Sequence, residues 1–205
     1  WIQDAIDEIT EEMMAKYNQK RAIVYNTVQL YRWDRLDYIK QLKGKAEELG
    51  YIPGLKLVRG AYMEKERARA EERGYKSPIQ PDKASSDKDY DLALEFCIDH
   101  IDRFAICAGS HNEASSLLLT ELMEKKNLAK DDDRIYFAQL LGMSDHISFN
   151  LSDAGYNVAK YVPYGPVKEV LPYLIRRADE NTSVAGQTSR ELSLIMKERQ
   201  RRKGC

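Results

Sequence analysis

The chain has 205 residues, in which 32 lysines and arginines nearly balance 33 aspartates and glutamates. This length suits one sizeable domain, and a net charge of -1 excludes the strong overall field that draws a protein to nucleic acid. Apolar runs stay well short of the ~18 residues of a membrane span, and the amino terminus lacks the layout of a signal peptide. The three cysteines have neither C-x-x-C nor metal-like spacing, which predicts a reducing, intracellular setting and no metal site.

After a lead-in helix at residues 1–20, short runs of β-branched and aromatic residues alternate with longer helical patterns. The predicted strands are 21–31, 55–63, 103–110, 134–142 and 157–165. The predicted helices are 33–49, 88–101, 112–126, 144–153 and 167–181, then a charged C-terminal helix within 188–205. This alternation is typical of βα units on a parallel sheet, and it predicts a single domain, 1–205, with five units.

The periodicity alone fits a doubly wound sheet as well as a barrel. Polar residues, however, cluster at or just past the carboxyl ends of the predicted strands, where barrel enzymes hold their sites. They are Gln29, Arg59, Tyr62, Ser110, His111, Asn112, Gln139 and Tyr161. This clustering favours an α/β fold of the (βα)8 TIM-barrel type. Because five units cannot close eight strands, we expect the chain to be the C-terminal part of a larger barrel or to close with a partner chain.

Segment 64–90 begins as a charged helix and is predicted to continue as a loop rich in Pro, Ser and Asp. A loop of this length in a compact unit is often a lid over an active site. A solvated excursion on the surface explains the segment equally well.

Two adjacent arginines lie in the predicted amphipathic helix 167–181. At about 100° per residue, Tyr173, Arg177 and Glu180 form a ridge beside an apolar stripe, and Arg176 lies just beyond it. The planar arginine fork binds a carboxylate through paired hydrogen bonds. The pair therefore suits a small carboxylate ligand, whereas on the helix alone a solvated edge with a routine ion pair is the simpler interpretation.

The second predicted strand, LKLVRGAYM, carries charges within an apolar run. Lys56 and Arg59 are three residues apart and therefore face opposite sides of the strand, and Gly60 removes a side chain where the backbone would approach a ligand. A buried charge is unfavourable unless it is paired. Two interpretations stay open: a cation beside a cofactor, and an ordinary ion pair at the strand end.

Ser110, His111 and Asn112 follow the third predicted strand at a helix start. Backbone donors with hydroxyl, imidazole and amide groups suit an anion or the ring atoms of a cofactor, although His111 fits a surface helix cap as well. Tyr161, in the fifth strand, either lines a cavity or fills a core.

Four stretches together resemble the proline dehydrogenase family, the flavin-dependent (βα)8 barrels that oxidise proline. They are LVRGAYMEKERARA (57–70), SHNE (110–113), QLLGMSDHISF (139–149) and YVPYGPVKEVLPYLIRRADENTS (161–183). Their order and spacing agree with the family from about residue 21 to residue 183. The resemblance implies FAD-dependent oxidation of L-proline to 1-pyrroline-5-carboxylate, with the electrons passed to a quinone.

The resemblance also implies roles for individual residues. Arg176 and Arg177 would grip the proline carboxylate and Glu180 would brace them. Tyr161 and Tyr173 would wall the proline ring, with Leu140 beneath it. The flavin would be bound by Lys56, Arg59, Gln29, Gly60, Tyr62, Ser110, His111, Asn112 and Gln139.

Two alternatives to proline oxidation stay open: a hydroxyproline dehydrogenase, and a catalytically incomplete half-barrel that does not bind flavin alone. A bulky phenol at Tyr161 would crowd a ring hydroxyl and favours plain proline. The family's early barrel strands have no counterpart in the sequence, so we expect self-association or pairing with a missing N-terminal half.

The basic tail at 196–205 is predicted either to contact anionic lipid or to end in solvent. These interpretations place the protein in the cytoplasm or peripheral to the inner membrane, which is mitochondrial if the source is eukaryotic.

Overall fold

The computed structural model describes residues 2–183 and 185–203, and the side chains at 176–191 and 194 lie outside that description. The chain divides into two compact units, Trp1–Tyr161 and Val162–Cys205. The single domain predicted from the sequence stays a prediction.

The first unit contains five strands and six helices within the described residues. The strands are β1 (Tyr25–Gln29), β2 (Gly54–Val58), β3 (Ala105–Gly109), β4 (Ile135–Leu140) and β5 (Val158–Tyr161). The helices are α1 (Gln3–Tyr17), α2 (Arg35–Leu49), α3 (Met63–Arg73), α4 (Lys83–Asp99), α5 (Glu113–Lys125) and α6 (Asp145–Asp153). All five predicted strands and the lead-in helix are confirmed, and each strand is shorter than its apolar run.

The sheet is parallel throughout, with the strands in chain order β1-β2-β3-β4-β5. A doubly wound sheet would reverse its order at a switch point, whereas each strand here pairs only with its neighbours along the chain. The sequential order is that of a TIM-type barrel, and it decides between the two folds that periodicity left open.

Strand residues alternate between the helix-covered outer face and the inner face of the curved sheet. Leu55, Leu57, Ile106, Ile135 and Phe137 point outward and are almost fully buried in the core. Their partners on the helices include Leu42, Leu94 and Leu119. The outer face is therefore held by apolar packing, and the inner face is left to carry the site.

Segment 64–90 differs from its prediction as a helix followed by a long loop. Helix α4 begins at Lys83, because the Asp82 carboxylate accepts a hydrogen bond from the Ser85 N–H at 2.7 Å and caps the helix. The loop is therefore limited to residues 74–82.

This loop is attached to the segment that follows β1. The Gln80 N–H donates to the Tyr31 carbonyl at 2.7 Å, and the Trp33 N–H donates to the Pro78 carbonyl at 3.1 Å. The Trp33 indole also donates to the Ser77 carbonyl at 3.1 Å. The loop is thus exposed at residues 74–76 and 81–82 but bonded to the rest of the protein at residues 77–80, and its role as a lid stays a prediction.

Helix α1 is joined to β1 and α2 through a buried carboxylate. Asp7 accepts hydrogen bonds from Gln3 at 2.7 Å, Asn26 at 2.8 Å and Arg35 at 2.6 Å. Arg35 also donates to both oxygens of Asp34, at 2.8 and 2.7 Å. A buried charge is tolerated when it is paired in this way.

The second unit contains α7 (Val167–Ser183) and α8 (Ala185–Lys203), which confirms both predicted C-terminal helices. The Pro166 carbonyl accepts from the Val170 N–H at 3.1 Å, so this proline lies at the helix start. In the part of the chain that the structure describes, no helix is both long and apolar enough to cross a bilayer.

Candidate active site

The inner face of the sheet carries a cation beside an aromatic ring. The Lys56 ammonium on β2 lies 5.5 Å from the centroid of the Tyr161 ring on β5. In a flat sheet, three strand spacings of about 4.8 Å would separate β2 from β5 by about 14 Å. The curvature of the sheet therefore brings the ends of these two long side chains together across its inner side.

Small residues form a shallow shelf next to this pair. Gly109, Ala138 and Ala159 are consecutive register partners on β3, β4 and β5. A Cβ on Gly109 would lie 3.0 Å from Val58 Cγ1 and 3.1 Å from the Leu57 carbonyl oxygen, so a larger residue would require these neighbours to shift. Leu140 and Tyr161, the next inward-facing register pair, border the shelf.

Cys107 lies beside Lys56 in the register of the inner face. Burial raises the pKa of its thiol, and the Lys56 charge partly opposes that rise. A raised pKa lowers the thiolate fraction and makes this thiol a weaker nucleophile.

Ser110 is bonded to three of the other predicted site residues. Its hydroxyl oxygen accepts from Arg59 Nη1 at 2.9 Å and from the Asn112 N–H at 3.0 Å. Its carbonyl accepts from the Gln139 side-chain amide at 3.2 Å. These residues meet where β3 and β4 end, as the sequence predicted, but they bind one another.

Arg59 lies just past β2, which ends at Val58, so its predicted place within the strand is corrected. Its Nε forms an ion pair with Asp87, its Nη2 donates to Ser115 at 2.8 Å, and its guanidinium stacks 4.2 Å from the Tyr90 ring centroid. Burial raises the pKa of Asp87, but hydrogen bonds from Lys83 and Arg59 outweigh it and hold that pKa below its usual range. In this structure Arg59 therefore forms the strand-end ion pair that was one of the two interpretations.

Gly60 makes a close approach, but to protein rather than to a ligand. Its φ is +112°, and a Cβ would lie 2.5 Å from Tyr31 Cδ1. Tyr62 follows as the residue before α3, with its side chain exposed. The glycine thus lets the chain turn sharply over the Tyr31 ring.

Asn112 and His111 belong to the turn between β3 and α5. The Asn112 side chain accepts from the Ser115 N–H at 3.1 Å and caps α5. His111 Nδ1 lies 3.1 Å from the Ser144 hydroxyl on the turn after β4. The capping role considered for His111 is thus filled by its neighbour, and His111 connects two turns.

Gln139 and Gln29 are both engaged with other side chains. Gln139 is buried on the outer side of β4, where it accepts from the Ser148 hydroxyl at 3.0 Å. Gln29 donates to the Gln3 side chain at 3.1 Å. Binding a cofactor through either amide would require these bonds to be exchanged.

The predicted substrate clamp lies on α7. Tyr173 is half-buried in the second unit. The side chains of Arg176, Arg177 and Glu180 lie outside the described residues. Their role stays a prediction.

Sequence reasoning missed Asp87, Tyr90, Ser115 and Lys160, which hold the predicted residues in place. Asp87 and Ser115 are 28 and 56 residues from Arg59 along the chain. Lys160 alternates with Tyr161 on β5 and donates to the turn after β4. The sequence indicated a special role for Lys160 only by placing a charged residue at an outward position of an apolar strand.

A parallel sheet whose strands follow one another in chain order, with helices on its outer face, defines a fold of the (βα)-barrel class. The model of the family described as proline dehydrogenase matches residues 1–190. The chain belongs to the proline dehydrogenase family.

Curated relatives agree over nearly the whole chain. It is 44% identical over 205 residues to proline dehydrogenase 1, mitochondrial, of Homo sapiens, covering 98% of this chain and 34% of the relative. It is 40% identical over 206 residues to hydroxyproline dehydrogenase of Xenopus laevis, covering 98% of this chain and 44% of the relative. The chain thus spans about a third of the human relative's length.

Solved structures share the fold. Proline utilization A from Bdellovibrio bacteriovorus, inactivated by N-propargylglycine, superposes with a TM-score of 0.82 at 29% identity, covering 89% of this chain and 19% of that one. A Bradyrhizobium japonicum proline utilization A mutant superposes with a TM-score of 0.76 at 23% identity, covering 88% and 18%. The TIM-barrel prediction is confirmed by the first of these together with the strand order.

Proposed function

We propose that this protein provides the flavin and substrate site of an enzyme that oxidises L-proline to 1-pyrroline-5-carboxylate and passes the electrons to a quinone. The observation that carries the proposal is the Lys56–Tyr161 pair above the shelf of Gly109, Ala138 and Ala159. Membership in a family of flavoenzymes supports the same cofactor, FAD.

The inner face fits a flavin in shape and charge. The shelf offers a flat apolar surface for a ring system, and its small residues leave room above it. Lys56 supplies a cation at the edge of the shelf, where it would stabilise negative charge on a reduced ring. His111 and the backbone donors near the start of α5 lie at the neighbouring strand end and suit phosphate or ring atoms.

The substrate end of the proposal follows the resemblance to the family. Arg176 and Arg177 would bind the proline carboxylate as paired forks, with Glu180 bracing them. Tyr161 and Leu140, which are register partners on β5 and β4, would lie against the proline ring. Bound FAD would supply the hydride acceptor, and fixing the carboxylate would orient the carbon next to the ring nitrogen toward it.

Flavin binding tests the proposal directly. We expect the protein purified with FAD to be yellow, and its visible absorbance to bleach when L-proline is added without oxygen. Lys56→Met should slow this bleaching about a hundredfold, because it removes charge stabilisation at the reacting ring. Lys43→Met is the matched control, since Lys43 pairs with Glu47 on the outer helix α2. Equal bleaching in both variants would reject the role of Lys56.

The arginine pair is tested separately. Replacing Arg176 and Arg177 by methionine should raise the KM for proline far more than it changes FAD affinity. Arg199→Met, which changes an exposed residue of α8, is the control. Normal efficiency in the double variant would contradict the proposed carboxylate clamp.

Hydroxyproline oxidation is the second candidate, because hydroxyproline dehydrogenases are among the relatives. The exposed phenol of Tyr161 projects from the last residue of β5 beside Leu140, where it would crowd a substituent on the ring. We therefore expect proline to bleach the flavin faster than 4-hydroxyproline. Faster bleaching by 4-hydroxyproline than by proline would instead favour hydroxyproline oxidation.

A folded protein that stays colourless with FAD would indicate the incomplete half-barrel, for which self-association or pairing with a further barrel segment is part of the proposal. Light scattering over a concentration series tests self-association.

The names of several relatives contain the word mitochondrial, and we propose a mitochondrial location for this protein if its source is eukaryotic. Lipid-vesicle flotation with and without the tail at 196–205 tests peripheral membrane contact.

A further inference from the structure

The turn between β4 and α6 holds a serine in a backbone conformation that serine does not favour. Gly142 has a φ of +76° and Ser144 has a φ of +51°. Serine rarely adopts the left-handed region, because its Cβ crowds the backbone there. Such a residue persists only when its surroundings hold it in place.

Lys160 supplies that support from the next strand. Its ammonium donates to the Asp145 carboxylate at 2.7 Å and to the Met143 carbonyl at 2.9 Å, which are the neighbours of Ser144 on either side. A longer contact of 3.4 Å reaches the Leu140 carbonyl at the end of β4. The three donors of one ammonium thus span the whole turn.

The turn between β4 and α6 orients His111 through the Ser144 hydroxyl. The Ser144 hydroxyl does not cap α6, and it lies 3.1 Å from His111 Nδ1 instead. Ser144 is buried, which limits the rotamers open to its hydroxyl. The turn directly follows Leu140, the last residue of β4, which borders the shelf on the inner face.

We infer that Lys160 is a positioning residue that acts through Ser144 on His111 and so sets the geometry of the cofactor edge of the site. The link from Lys160 to His111 stands on contacts within this chain. Its consequence for flavin binding rests on the proposed function.

The histidine rings provide a readout that needs no flavin. The chain has three histidines: His111 is the reporter, His146 pairs with Glu113 at 2.9 Å, and His100 bonds the Phe96 carbonyl at 2.9 Å on α4. In flavin-free protein, Lys160→Met should shift or broaden the imidazole nitrogen resonances of His111 and leave those of His100 in place. General loosening of the fold would move both.

Two further variants sharpen the result. Lys130→Met is the matched control. Lys130 also donates to a backbone carbonyl, that of Ala154 at 3.2 Å, which lies outside the turn between β4 and α6. It should leave His111 unchanged. Lys160→Arg, which keeps the charge and the donors, should restore most of the His111 signal, and Asp145→Asn should shift it less than Lys160→Met does.

In FAD-loaded protein, Lys160→Met should raise the dissociation constant for FAD about tenfold relative to Lys130→Met, the size expected when one hydrogen bond from His111 to the cofactor is lost. Unchanged His111 resonances in a folded Lys160→Met protein would overturn the inference. If Lys160→Met does not fold, unchanged resonances in Asp145→Asn would overturn it equally. A wild-type protein that binds no FAD would refute the proposed function, whereas the resonances would still decide the role of Lys160.

Discussion

Gly60 lies so close to the Tyr31 ring that any Cβ at position 60 would meet it at 2.5 Å. Tyr31 is 3% exposed, so its ring has little room to move away. The backbone conformation at Gly60, with a φ of +112°, also disfavours every other residue. The turn at the end of β2 therefore requires glycine for two reasons: the close contact with the Tyr31 ring and the positive φ.

Gly60→Ala should lower the free energy of unfolding by about 2–4 kcal/mol, through both the clash and the strained φ. Gly44→Ala is the control, because a Cβ there meets nothing within 4 Å inside α2, and it should stabilise the protein by about 1 kcal/mol. Urea unfolding measures both. A neutral Gly60→Ala would show that the Tyr31 ring yields.

Arg35 should be more important to stability than any surface arginine. It is 4% exposed and donates to both Asp7 and Asp34. Arg35→Met would leave Asp7 buried without its countercharge, for which we expect a loss of about 3–5 kcal/mol. Arg103→Met, at a largely exposed ion pair, should stay within about 0.5 kcal/mol of wild type. Similar losses in the two variants would contradict this account.

Tyr51 should make the fold sensitive to alkaline pH. Burial, with the nearby Glu11 charge, raises the pKa of Tyr51 from 10.0 to about 12. The unfolded chain loses this proton first, so the contribution is complete below pH ~10 and falls by about 2–3 kcal/mol as the pH rises through the folded pKa.

Unfolding free energies across this range test the assignment. Tyr51→Phe should flatten part of the alkaline decline, and Tyr17→Phe, which changes an exposed ring, should not. Identical alkaline slopes in the two variants would remove Tyr51 as a cause.

The loop at 74–82 should be protected rather than open. The Gln80 and Trp33 amides are bonded to Tyr31 and Pro78 across the two loops, so their hydrogen exchange should be slowed well below that of unstructured peptide. Trp33→Ala removes the indole bond to Ser77 and should accelerate exchange at Gln80, whereas Tyr75→Ala, at an exposed ring of the same loop, should not. Fast exchange at Gln80 in the wild type would contradict this prediction and would indicate that the loop opens as a lid.

The fold was largely predictable from the sequence because alternation on the strands is strong. Leu55 and Leu57 face the helices while Lys56 faces inward, as a period of two requires. The start of α4 was missed because Ser85, Ser86 and Asp87 read as loop residues, and the capping bond from Asp82 that reverses this preference is visible only in three dimensions.

The site was predicted less completely. Position along the strands identified Ser110, Gln139 and Arg59 as neighbours, but not that they would bond to one another. The partners Asp87 and Ser115 come from helices far along the chain, and packing of those helices chose them. Residue type alone could not separate Lys56, whose ammonium lies over the Tyr161 ring, from Arg59, which is paired with Asp87.

The sequential order of the sheet also bears on how the chain acquires its structure. Each new strand docks on the one made just before it, so no strand has to wait for a distant segment of the chain. Pairing can therefore advance stepwise from β1 to β5 during synthesis, with only moderate loop-closure entropy at each addition. Among the five described strands β5 is the last to be added, and it is the strand that bears both Lys160 and Tyr161.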